Sequence, residues 1–255
     1  QLGNLGSREL FYRFQFIQPA FQDSLGYYWF YSDQPGGPEY NWVDISGTGN
    51  QINFPGDPNM SNSGHIDLGF DFNYYGETYN SICVCTNGWA SFTDSVSIYS
   101  TGRAIPNTSP PNAQLAAYWA NLYPGESGGV YFYSNNEDSA VISWNDVPDT
   151  GHPEYFYTFQ ILLIAPDTVV FQYDSMDTGH SQTYCTIGIE DQSGTVGLQI
   201  VRGEAYTYGG KAVRFLCGPP PGEMDWLTAD KENGRIASMG SEDITVTSHP
   251  GDRIN

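Results

Sequence analysis

Apolar and polar residues alternate with period two through most of this chain, and 29 Gly and 16 Pro interrupt the alternation at short intervals. Successive side chains of an extended strand point to opposite faces, so this pattern demands strands joined by turns. From Val130 the string VYFYSNNEDSAVISWNDV reads as strand, polar turn, strand, and from Tyr157 YTFQILLIAPDTVVFQYDSM repeats the design around a turn at Ala165 to Thr168. A third hairpin, YCTIGIEDQSGTVGLQIV, turns at Asp191 to Gly194. In the closing strand KAVRFLC, Val213, Phe215 and Cys217 share a face, which predicts Cys217 on the core side. Helical periodicity is absent over comparable lengths. Asn112 to Trp119 is the one candidate for a helical turn, kept short by Pro110 and Pro111 before it and Pro124 after it.

The expected fold is an all-β antiparallel β-sandwich, jelly-roll or immunoglobulin-like, spanning residues 25–217. Its core is drawn from Phe70, Phe72, Ile82, Val84, Trp119, Phe132, Ile142, Trp144, Phe159, Ile161, Phe171, Ile187, Ile189, Leu198 and Phe215. At 255 residues the chain is long enough for one such core without a metal or a partner. Residues 1–24 form an N-terminal extension in which Leu10, Tyr12, Phe14 and Phe16 occupy one face of an extended strand and Phe11 and Ile17 add to the other. Residues 218–222, GPPPG, are a stiff linker. Residues 223–255 read as two or three short strands, too few for a complete immunoglobulin-like sandwich.

Charge narrows the function. With 29 acidic against 9 basic side chains, the net charge is −20, and no cluster of Lys and Arg exists to neutralise phosphates; nucleic acid is excluded as a partner, and anionic membrane surfaces are disfavoured. The longest apolar segment, FQILLIA, falls far short of a membrane-spanning helix, so no membrane insertion is expected. The start at Gln1 rather than Met is read as the mark of a removed leader, and the expected location is extracellular or at the cell surface. Cys83, Cys85, Cys185 and Cys217 are an even set without zinc-site spacing, and disulfides are the preferred reading. Because Cys83 and Cys85 share a strand face, each would reach one of Cys185 and Cys217, leaving two connectivities; four buried thiols are the alternative.

Little points to catalysis. His65, His152, His180 and His249 lie in Gly-, Ser- or Pro-rich contexts without an HExxH or GxSxG pattern, and no nucleophile, base and orienting group stand out, so the chain is read as a non-enzyme. No metal ligand set or cofactor is assigned. Calcium is the one ion with candidate loops, at Asp67 with Asp71, Asp146 with Asp149, and Asp174 with Asp177, and none has EF-hand spacing. The aromatic run Tyr27, Tyr28, Trp29, Phe30, Tyr31 and the cluster Tyr74, Tyr75, Tyr79 could stack on sugar rings of a glycan, but filling of the sandwich core explains them better. Asn59 (NMS) and Asn107 (NTS) satisfy the glycosylation sequon.

The strings GYYWFYSDQPGGPEYNWVDIS, LGFDFNYYGETYNSICVCTNGWASF, IPNTSPPNAQLAAYWANLYP, GGVYFY, WNDVP and IGIEDQSGTVGLQ, in this order between about Tyr27 and Phe215, resemble a β-sandwich module that recurs in large secreted and cell-surface proteins of bacteria, often beside peptidase or immunoglobulin-like domains. The tail DWLTADKENGRIASMGSEDITVT looks like the opening of a BACON-type immunoglobulin-like domain, here stopping early. The resemblance implies a non-catalytic extracellular module and transfers no catalytic residue.

Three functions are consistent with these features: a structural protein whose copies join by strand exchange into a filament or surface layer, an adhesion or carbohydrate-binding module, and an accessory domain of a secreted peptidase. The apolar N-terminal strand favours the first. Donation of Leu10, Tyr12, Phe14 and Phe16 to a neighbour would bury side chains worth roughly 1.5 to 3 kcal/mol each, on the order of 6 to 12 kcal/mol before ordering costs. Trp226 opens the tail that faces the same choice between cover in cis and cover in a neighbour. The partner expected is a further copy, in a homo-oligomer or homopolymer.

Overall fold

The computed structural model describes residues 22–34, 36–94, 101–125, 127–177, 185–204, 206 and 209–218, together with short strands near both ends. Phe14, Phe16 and Trp226 fall outside the described residues, as do His180 and His249. The chain divides into two compact units, Phe21–Gly218 and a second made of Gln1–Ala20 with Pro219–Asn255.

The terminal unit contains β1 (Leu2–Gly3), β2 (Leu10–Arg13) and, after the larger unit, β16 (Leu227–Ala229), β17 (Asn233–Ile236), β18 (Ser241–Glu242) and β19 (Val246–Ser248). They pair antiparallel as β1 with β18, β2 with β17 and β16 with β19. Leu10–Arg13 thus takes its partner from the tail of its own chain.

The larger unit is a sandwich of thirteen strands. Its first part holds β3 (Tyr27–Tyr31), β4 (Asn50–Gln51), β5 (Asn62–Tyr74), β6 (Glu77–Cys85), β7 (Trp89–Ser91), β8 (Gln114–Trp119) and β9 (Gly129–Ser134). There follow β10 (Ser139–Pro148), β11 (Phe156–Ile164), β12 (Thr168–Met176), β13 (Thr186–Glu190), β14 (Gly197–Arg202) and β15 (Lys211–Cys217). One sheet runs β3-β15-β12-β11-β10-β9-β4 and the other β14-β13-β8-β7-β6-β5, every pair antiparallel. The three hairpins expected from sequence are β9–β10, β11–β12 and β13–β14. Gln114 to Trp119 is a strand rather than a helical turn, because both of its edges are taken up by main-chain partners, β7 and β13.

Register explains the core. In the seven-stranded sheet Phe132, Ile142, Ile161, Phe171 and Val213 are successive cross-strand neighbours, and in the other Val84, Ala90, Leu115, Ile189 and Leu198 are. All ten are buried and face one another between the sheets. Of the expected core residues only Phe70 is partly exposed, and Trp119 belongs to a separate cluster with Cys85, Trp89, Ile105 and Ala116 on the outer side of the six-stranded sheet.

Candidate functional site

A side chain one position along from each core row points the opposite way, toward what in an ordinary sandwich would be solvent. Here those outward rows are buried. On the seven-stranded sheet the row is Ser143, Gln160, Gln172 and Ala212; on the six-stranded sheet it is Cys83, Ser91, Gln114 and Glu190, ending at half-buried Gly197. Two loop segments, which we call straps, cover them.

The first strap, residues 32–45, lies on the seven-stranded sheet. Ser32 N–H donates to Ala212 O at 2.8 Å, the Arg214 guanidinium to Gly36 O at 2.8 Å, and Tyr40 Oη to Asp174 Oδ1 at 2.7 Å. The buried Gln160 amide faces Val43; in the amide orientation that satisfies both groups its oxygen accepts from Val43 N at 3.0 Å and its nitrogen donates to Val43 O at 3.1 Å. The strap approaches so closely that a Cβ on Gly37 would lie 1.9 Å from Tyr31 O.

The second strap, residues 101–113, lies on the six-stranded sheet. Thr186 Oγ1 donates to Arg103 O at 2.8 Å, Ile105 N to Gln199 Oε1 at 3.1 Å, and Asn107 N to Glu190 Oε2 at 2.8 Å. The Arg103 guanidinium sits 5.4 Å from the centre of the Trp119 ring and donates to the Ser109 and Pro110 carbonyls. At the end of the strap buried Ala113 has φ +46°, a left-handed backbone that costs a non-glycine residue about 1 kcal/mol or more. Burial pushes the Glu190 carboxyl up to about 7, against the lowering effects of the Asn107 N–H and the Arg103 charge. Beside it Gln114 is fully buried, and neither its Oε1 nor its Nε2 has a hydrogen-bond partner.

Glu190, Gln114 and Arg103 are the polar residues that sequence reading passed over. Parity held a signal: in QLAAYW and TIGIE the residues out of phase with the core are Gln, Ala, Gly and Glu, small or polar yet flanked by fully apolar neighbours. Small outward residues mean that main chain can lie down on the sheet.

The expected disulfides are absent; all four cysteines are thiols. Cys83 and Cys85 do share a face, but it is the outer face of the six-stranded sheet, whereas Cys185 lies in the core between the sheets and Cys217 is exposed at the end of β15. The sulfurs thus lie in different places in the fold, whereas a disulfide needs them adjacent. Cys185 Sγ donates instead to Glu204 O at 3.1 Å, and Cys217, two residues past buried Phe215, is directed to Leu25 O at 3.7 Å. Burial pushes Cys83 up to about 11 and Cys185 up to about 12, so both are protonated at neutral pH.

The carboxylates of the candidate calcium loops serve as turn and cap acceptors. Asp67 accepts from Gly69 N, Asp146 from Thr158 Oγ1, Asp149 from Gly151 N and His152 N, and Asp174 from Tyr40. Among the described residues no three His, Cys, Asp or Glu side chains converge as a metal site. Exposed His65 lies 3.3 Å from Ser81 Oγ, and His152 lies 3.4 Å from Glu154. Of the aromatic run, Tyr27 joins Tyr74 and Tyr75 in the core, and Tyr28 and Phe30, on the opposite face of β3, are buried as well, so none of these five rings is open to a sugar. Asn59 and Asn107 are half-buried in loops, the former accepting from Thr150 Oγ1.

Among the described residues an accessible concavity lies along an edge. A groove of about 260 Å³ runs beside β4, its floor made by Ile52, Ile66 and Phe132 and its rim by Asn50, Gln51, Asn53 and Ser63. A second hollow of about 160 Å³ continues it past Phe54, Pro58 and Pro124. No charged side chain lines either one, in a chain of net charge −20. In sequence TGNQINF reads as polar loop, and only the alternation of Ile52 with Phe54 hints at a strand edge.

Residues 36–208, a stretch that includes most of the first strap and all of the second, match the family model described as NIDO related. The match stops short of the tail from residue 223, whose immunoglobulin-like reading it does not extend to. No curated protein and no solved structure matches the chain.

Proposed function

The chain belongs to the NIDO-related family, an extracellular type of domain, and from that premise we propose that it is a non-catalytic structural module whose copies assemble through their sheet edges and terminal strands. The observation that carries this reading is the cover that the straps give the middle of both outward faces, beside edges where main-chain pairing can continue. The terminal unit supports it. Among the described residues its strands pair two by two, and an isolated two-stranded ladder is marginal in water, so β2 and β17 gain from a further strand. A head-to-tail contact that does not close on itself then propagates as a fibre. Light scattering and negative-stain microscopy of the full chain and of a variant lacking residues 1–20 test the proposal. Ordered polymers of the full chain, and a folded monomer after the deletion, are expected. A full chain that stays monomeric at high concentration, or polymers unchanged by the deletion, would overturn it.

A further inference from the structure

We propose that the groove along β4 is the acceptor for the free edge of β2 from a second copy of this chain; the proposal rests on assembly through terminal strands. Three observations converge on it. The first is main-chain geometry. Asn50 pairs with Phe132 and Gln51 with Tyr131, and Ile52 N–H donates to Val130 O at 2.8 Å. Main-chain groups point alternately to the two sides of an antiparallel strand, so those of Gln51 face away from β9 and into the groove. β4 is the last strand of its sheet, and among the described residues β2 has β17 on one side and no strand on the other. Each strand offers the other an open edge.

The second is the state of the remaining edges. β5 is broken by two register shifts and by Gly64 and Gly69, both at positive φ. Outside β3 an isolated bridge joins Gln22 to Tyr28, and β14 pairs with β13 through a bulge. Bulged or partly covered edges pair poorly with a new strand. The third is charge. The sandwich, residues 21–218, holds 4 basic and 21 acidic side chains, a net of 4 − 21 = −17, whereas residues 1–20 hold Arg8 and Arg13 against Glu9, a net of 2 − 1 = +1. Two copies repel each other over most of their surface. The uncharged groove and residues 1–20, net +1 within a terminal unit of net 5 − 8 = −3, are where repulsion is least, and Ile52, Ile66 and Phe132 give an apolar floor to a segment reading LFYR.

Cross-linking of the full chain tests this, with Cys217→Ser as background so that no exposed native thiol interferes. One preparation carries Gln51→Cys and the other Tyr12→Cys. Mild oxidation of the mixture is expected to give a covalent dimer that neither preparation gives alone. Cross-linking confined to single chains carrying both substitutions would show that β2 docks in cis and would overturn the proposal. In parallel, Gln51→Pro removes the outward N–H while leaving the bonds to β9. It is expected to keep the melting temperature and to raise the concentration needed for assembly about tenfold, as the loss of one good hydrogen bond would. If Gln51→Pro assembles like the parent while loss of residues 1–20 still prevents assembly, the groove is not the acceptor but the assembly reading stands. Polymers that survive that deletion remove both. Should Gln51→Pro abolish retardation of the protein in a neutral polysaccharide gel without changing its assembly, the groove is a glycan site and the proposal fails.

Discussion

The two straps solve one problem in different ways. Each must lie on a sheet whose outward row carries buried polar side chains, and each does so by close main-chain approach. Over the seven-stranded sheet the centre of the polar row is matched: the Gln160 amide, oriented to suit, meets both main-chain groups of Val43, as a neighbouring strand would, while the buried Gln172 Oε1 beside it has no partner among the described residues. Over the six-stranded sheet the match is poorer. Asn107 N–H and the Arg103 charge answer Glu190, the carboxyl still rises to about 7, and Gln114 has no partner. A covered sheet face can therefore be a bonded third layer or a lid closed over residual polarity, and burial alone does not tell them apart.

The largest expected effect comes from spoiling the close approach. Gly37→Ala forces a Cβ to within 1.9 Å of the Tyr31 carbonyl, an immovable main-chain atom, and should cost more than about 3 kcal/mol in urea unfolding. Gly102→Ala meets Thr186 Oγ1 at 2.4 Å, Cβ at 2.7 Å and N at 2.8 Å; the hydroxyl can turn but the other two atoms cannot, so the loss should be substantial, yet smaller than at Gly37 because no contact is as short as 1.9 Å. A Gly102→Ala variant as stable as the parent would show that the second strap is not held close to its sheet.

Next is the buried carboxyl. Glu190 holds its proton more tightly folded than unfolded, so its contribution falls as pH rises from about 4.5 to about 7 and is fully unfavourable above that. The Glu190→Gln variant should be more stable than the parent by about 3 kcal/mol at pH 8 and equal to it at pH 4. Thermal melts across that range provide the check; a constant difference would mean that Glu190 titrates normally. A smaller contrast separates the two glutamines. Gln160→Leu orphans Val43 and should cost about 2 kcal/mol, whereas Gln114→Leu removes an amide that has no partner and should be neutral or stabilising. The smallest effect concerns sulfur. Reductant should leave the melting temperature unchanged, and alkylation of the native protein should label Cys217 well ahead of buried Cys83, Cys85 and Cys185.

Hairpins and core were legible because they follow from local alternation: Ile142, Ile161 and Phe171 fall in phase with their strands wherever those strands pair. The straps were not, since residues such as Val43 and Arg103 owe their place to a sheet far away in sequence. The cysteines show the same limit. Parity put Cys83 and Cys85 on one face, but which layer that face belonged to, and that Cys185 lies in another, depended on the stacking of sheets. Ala113 is harder still, for nothing in its neighbours announces a left-handed backbone.

The pairing of β3 with β15 has a mechanical side. Tyr27 opposes Cys217 and Tyr31 opposes Val213, so the chain enters and leaves the sandwich at the same end of two adjacent antiparallel strands. Tension applied through the two ends of the chain would peel these strands apart one hydrogen-bonded pair at a time, like a zipper, instead of shearing all pairs at once. A fibre strung end to end through its chains would then yield at each sandwich in turn. One that takes its load across sheet edges would leave that zipper slack.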